Sequence, residues 1–334
     1  MSKRVEWIDI GKGIAMLCVI YGHVVIDKSA TSAIAVHSFH MPLFFVFAGY
    51  TFNLKSMKEV LQQSVRRLLY PYVLLFLLQS IPLFLRSESI TPEFLSSQAL
   101  RFFFASAVRS PNYGIGSVGI LWFLVVLFVS RIVLNLVLMV RAGDSGSTLK
   151  YLIVLGGSSC VGILIGCHYF LPLSLDVVPL ATSYMFAGYL AKEHGIMSKS
   201  LHPMAVVSLA AVWLLAIRSG WYSIGERAYG SLPISILGSV AGTLLVAKLC
   251  QKLEAFGGIL KRPLVFIGAN SLLVFAAHAI EMGYVKWASY PLIKVSGHSL
   301  LIQLCVRYLF IILVVLLMKS LITPFWPRKD KPTH

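Results

Sequence analysis

Lys12 and His23, two residues that could do chemistry, lie eleven positions apart in the first apolar run of the chain, from Trp7 to Ile26. Eleven steps at about 100° each return to within roughly 20° of the starting direction, so a helix puts both on one stripe, about 16 Å apart along its axis. Ionisable groups inside an apolar span are costly and mark functional paths more often than packing. An ammonium suits phosphate. A neutral imidazole can take a proton from a hydroxyl nucleophile.

Further groups gather at the same two levels. Asp9 sits one helical turn before Lys12 and can pair with it. Arg66 and Arg67 precede the third apolar run and share the Lys12 level. They serve either as positive-inside anchors or as phosphate ligands. His37 and His40 open the second run, and His278 and Glu281 close the ninth, at the level of His23. A histidine near a helix end is often a satisfied interfacial residue, which is the plainer reading of His37 alone. The two levels together suggest a molecule with a phosphorylated end near Lys12 and a reactive end at His23. Arg131 and Arg307 either snorkel or pair with a carboxylate. Trp122 is either an aromatic-belt residue or part of the site. Asp176 and Glu226 read as solvated loop charges, and Gly156-Gly157 as helix-packing positions.

The elements that must hold these groups are membrane helices. The 334 residues are 57% hydrophobic and 13% charged, with mean hydropathy +0.81, too apolar for a soluble domain of this size. The fold class expected is an all-α integral membrane protein, a single bundle of about ten transmembrane helices. The runs fall at about 8–26, 37–54, 69–85, 118–140, 150–167, 176–192, 204–217, 232–250, 263–282 and 299–322. With alternating loops, the side of the N-terminus carries more than twice as many lysines and arginines as the other. Both termini are therefore expected in the cytoplasm. The same bias explains the net charge of +16 without nucleic acid, since no basic recognition pattern accompanies it. Asp9, Lys12 and His23 interrupt the first run, which reads as a retained helix rather than a cleaved signal. Residues 55–68 read as an interfacial amphipathic segment, and 94–108 as a helix on the outer surface. Residues 1–326 form one membrane domain, and 327–334 a flexible cytoplasmic tail. The five cysteines lie in apolar runs without metal-ligand spacing and read as buried small hydrophobes. No Walker A, nucleophile-elbow or zinc-protease fingerprint occurs in a workable context.

Several of these residues also form a pattern. Trp7-x-Asp9-x-x-Lys12-Gly13, His23, and Phe39-His40-Met41-Pro42-Leu43-Phe44-Phe45-x-x-x-Gly49-Tyr50 resemble the opening of the membrane-bound acyltransferase 3 family. The flavour is that of its fucose 4-O-acetylase-like and exopolysaccharide O-acetyltransferase branch. Arg66-Arg67-Leu68-Leu69-x-Pro71-Tyr72, Leu121-Trp122-Phe123-Leu124, and Asn270-Ser271-Leu272 followed by His278 extend the likeness. The family's paired arginines are often separated by two residues, whereas here they are adjacent. The resemblance implies a bacterial inner-membrane enzyme taking acetyl from cytoplasmic acetyl-CoA, with no metal. The acceptor would be a hydroxyl of a surface or lipid-linked glycan at the periplasmic side. Its partners would be that glycan and membrane lipids, and the chain a stand-alone membrane unit. His23 would be the catalytic base. Lys12, Arg66 and Arg67 would hold the phosphates of CoA. Asp9, His40, Trp122, His278 and Glu281 would support the site, with His40 or His278–Glu281 orienting substrate. The alternative is a non-enzymatic transporter of a glycan-lipid or small molecule, using the same charges as a path.

Overall fold

The computed structural model describes residues 5–25, 27–87, 89–143, 148–291, 293 and 299–322. Ile26, the ends of the domain expected over 1–326 and the tail expected at 327–334 lie outside the described residues.

Helices α1 (Glu6–Val24) and α2 (Thr31–Tyr50) form an antiparallel pair at the centre. Helix α3 (Met57–Arg86) runs 30 residues without a break. It starts at a capping box, in which Ser56 Oγ accepts from the Glu59 amide and the Glu59 carboxylate accepts from the Ser56 amide. The interfacial segment expected at 55–68 is thus the first part of this long helix. At about 45 Å it exceeds the roughly 30 Å of bilayer hydrocarbon, so no separate surface helix is needed. Pro71 has no N–H and crowds the carbonyl four residues back. Just before it the chain widens into a π turn, Val65–Leu69, that holds Arg66 and Arg67.

Helix α4 (Pro92–Phe104) is capped by Thr91, and its Phe102 ring packs on Tyr72 and Phe76 of α3. Helix α5 (Trp122–Ala142) follows a short 3-10 turn. Then come α6 (Thr148–His168), α7 (Val178–Glu193) and α8 (Pro203–Arg218). A small antiparallel hairpin, β1 (Tyr222–Ser223) and β2 (Ala228–Tyr229), precedes α9 (Leu232–Phe256). Helices α10 (Lys261–Ala269) and α11 (Ser271–Tyr284) are one apolar stretch bent by 76° at Asn270. Helix α12 (Leu300–Ile322) closes the chain.

Seven of these helices are long and apolar enough to cross a membrane, and the bent pair makes an eighth if it counts as one span. A count of ten requires α7 and α8, 16 residues each, to cross with only about 24 Å of helix. The outside is apolar: Leu77, Val154, Leu164, Leu237 and Leu301 are all exposed, a surface suited to lipid rather than water. This outward face also explains why Cys160, Cys167 and Cys305 are exposed rather than buried. Gly156 and Gly157 face open space too, so they are not the packing positions expected.

Two close crossings set the centre. A Cβ on Gly268 would overlap the Asp9 carbonyl, and one on Gly13 the Leu264 carbonyl. Only glycine lets α10 lie this close to α1, and that contact aims α11 past the His23 end of α1. The crossing of α2 with α7 depends on Gly49 and Gly188 in the same way. Buried hydroxyls add specific ties. The Tyr184 hydroxyl bonds to Tyr222 and to Ser239, each at 2.6 Å, joining α7, the hairpin and α9.

Candidate functional site

A cavity of about 650 Å³ runs alongside α1 and α5. Lys12 and His23 both line it, as the stripe requires. On α5 the wall runs from Trp122 to Arg131, nine residue steps and about 14 Å of helix. One end gathers Lys12, Arg67, Arg131 and Thr51; the other gathers His23, His37, His40, Trp122 and Glu226.

At the cationic end, both arginines of the π turn are exposed, but Arg67 reaches the wall and Arg66 lies off it. Arg131, left open by the sequence, is half-buried. Its Nε donates to Ser64 Oγ at 3.1 Å, and its guanidinium lies 5.2 Å from the Phe52 ring. The first turn of α11 contributes Ser271 and Leu272, and helix N-termini favour negative charge. Lys12 is half-buried, and Asp9 is buried behind the wall. Three cations and a helix start around an accessible space can bind a phosphorylated molecule.

At the other end, the Nδ1 atoms of His37 and His40 lie 3.0 Å and 2.7 Å from the carbonyls of Ala33 and Val36. A carbonyl only accepts, so each Nδ1 carries the proton. The Nε2 lone pair of the neutral ring is then free. His23 keeps accessible surface on the cavity, and its ring nitrogens have no hydrogen-bond partner among the described residues. Its ring lies 5.4 Å from that of His278.

His278 and Glu281 lie behind His23, both 0% exposed and off the cavity wall. The two residues expected to orient substrate thus touch protein rather than the cavity. His278 Nδ1 donates to Glu281 Oε2 at 2.7 Å, and the Trp287 indole N–H donates to Oε1. Arg307 completes the carboxylate from 3.3 Å, which settles its role as a carboxylate partner. His278 Nε2 has no hydrogen-bond partner among the described residues.

The sequence misplaced the two loop acids. Asp176 is buried against Arg227, which donates to its two oxygens at 2.9 Å and 3.2 Å. Arg227 also donates to Ser106, Ser174 and the Gly225 carbonyl and stacks on Phe170 at 4.0 Å. This clamp pins the end of β1 and the hairpin turn, residues 223–226, over the cavity, with Gly225 against Trp122. Trp122 itself is 6% exposed and lines the cavity. Nothing local in the sequence marks Glu226 or Arg227. The lone charge of Arg131 in an apolar run was the available signal for that residue.

The class defined by this architecture is a multi-pass membrane protein with an internal cavity, cationic at one end and lined by histidines at the other. The family model described as an acyltransferase domain, Acyl_transf_3, matches residues 5–323. The chain belongs to the acyltransferase 3 family and is a membrane acyltransferase. Neither the curated proteins nor the solved structures compared with it gave a match.

Proposed function

We propose that the chain is an O-acetyltransferase of a bacterial inner membrane. It would take acetyl from cytoplasmic acetyl-CoA and place it on a hydroxyl of a surface or lipid-linked glycan at the periplasmic side. This is the chemistry of the fucose 4-O-acetylase-like and exopolysaccharide O-acetyltransferase branch. The observation that carries the reading is that Lys12, Arg67, Arg131 and His23 line one cavity. Its volume of about 650 Å³ lies in the usual range for small-molecule sites.

In this reading the phosphates of CoA lie against Lys12, Arg67 and Arg131, and the thioester extends toward His23. His23 takes the proton of the acceptor hydroxyl. The oxygen attacks the thioester carbonyl, the C–S bond breaks, and the thiolate of CoA leaves and is protonated. His278 and Glu281 support the imidazolium that forms at His23 and never meet substrate. His40 and Trp122 shape the acceptor side. Arg66 is left as an anchor.

The test is the ester content of surface glycans, measured by mass spectrometry, in cells carrying His23→Ala at the normal protein level. Removal of a general base predicts a fall of about 10²- to 10⁴-fold. Acetylation at the wild-type level would remove His23 from the mechanism. Glycans unchanged by deletion of the whole chain would remove the glycan acceptor.

A further inference from the structure

Among the described residues that line the cavity, Glu226 is the one carboxylate. It stands on the hairpin loop that the buried Arg227–Asp176 clamp holds rigid. Its Oε2 accepts from Lys28 at 2.6 Å and from the Trp221 indole at 3.0 Å. Its Oε1 has no partner among the described residues. The Trp221 ring lies 4.1 Å from that of His37, and His37 packs against Gly22, the residue before His23. Glu226 is thus two stacked rings, Trp221 and His37, from the helix that carries His23. Lys28 is well exposed, with 57% of its side chain accessible, so it can move aside at little cost.

We infer that Glu226 is an acceptor-binding residue and that the sugar ring it receives is an uncharged polyol. The inference rests on the acyl-transfer reading and adds the chemical class of the acceptor. An ionised carboxylate only accepts hydrogen bonds, and it offers about four lone-pair sites. Neighbouring hydroxyls of one sugar ring are the matching donors. One hydroxyl is held by Glu226 while another is presented to His23. A uronate or phosphorylated ring would bring a second anion to this carboxylate in a partly desolvated pocket, where like charges repel strongly. The cations on the cavity wall, Lys12, Arg67 and Arg131, sit at the opposite end, and Lys28, off the wall, is already paired with the Glu226 carboxylate.

The test uses membranes containing the full chain, radiolabelled acetyl-CoA, and unacylated surface polysaccharide isolated from cells lacking the chain. Loss of a hydrogen bond to a charged group predicts that Glu226→Gln raises the half-saturating polysaccharide concentration by about 10- to 100-fold. A fall in maximal rate alone, with half-saturation unchanged, would overturn the assignment. Lys28→Ala separates binding from a merely structural ion pair. It frees the carboxylate and lowers the half-saturating concentration, whereas a structural role predicts the same loss as Glu226→Gln. Fragmentation mass spectrometry of the wild-type product should place the ester on a ring without carboxylate or phosphate. An ester on an acidic ring overturns the inference and leaves acyl transfer intact. Absence of transfer by the wild-type chain overturns both.

Discussion

Glu281→Gln tests whether the buried pair behind His23 works through charge. The carboxylate accepts from His278, Trp287 and Arg307. The amide keeps its shape but presents an N–H₂ group, and two positions that now accept cannot both do so. If the amide oxygen keeps Trp287 and Arg307, its nitrogen meets His278 Nδ1, which must become the acceptor. The ring proton then moves to Nε2, on the ring that lies 5.4 Å from that of His23. The charge is lost as well. With about 10 Å between the carboxylate and His23, an effective dielectric of about 20 gives about 1.7 kcal/mol of support for the forming imidazolium. That loss is about 18-fold in rate, and the changed tautomer adds to it. The assay is the rate of glycan acetylation per folded protein in membranes, with folded protein counted by fluorescence-detected size exclusion. Since the pair does not touch the cavity, the Michaelis constant for acetyl-CoA should move by less than about twofold. A loss of less than about threefold, or a loss confined to the Michaelis constant, refutes the argument.

Other outcomes follow from particular contacts. Arg67→Gln should raise the Michaelis constant for acetyl-CoA about 10-fold or more, while Arg66→Gln, off the cavity wall, should change it less than about twofold. Equal effects would contradict the placement of the two arginines. Arg227→Met leaves Asp176 buried without its cation and should cost about 3–5 kcal/mol in unfolding. The double variant with Asp176→Leu should recover most of that, as read by thermal melting in detergent. A single variant that melts like wild type counts against the clamp. Gly268→Leu drives a side chain into the Asp9 carbonyl and should cost about 1–3 kcal/mol. Gly156→Leu, in open space, should be nearly neutral in the same melting assay.

What the sequence revealed and what it hid divide along a physical line. Apolar runs of bilayer length name their own helices, because lipid demands that each backbone group be satisfied within the segment. The Lys12–His23 stripe was legible for a related reason: helical periodicity is local, and eleven residues suffice to put two side chains on one face. Arg227 and Asp176 illustrate the opposite case. Asp176 at the start of one apolar run and Arg227 between two others show no link until the fold brings positions 51 apart into one buried pair. Glu226 was hidden behind the same contact, since only the clamp turns its loop over the cavity. The 76° bend at Asn270 breaks an apolar run that hydropathy reads as continuous. Just before it lies the close α1–α10 crossing that Gly13 and Gly268 permit. Beyond the bend, Ser271 lines the cavity, and His278, two turns further along the same arm, lies against His23. The polar residues of this chain therefore mark the ends of the cavity in sequence, while paired small and charged residues far apart along the chain decide how those ends face each other.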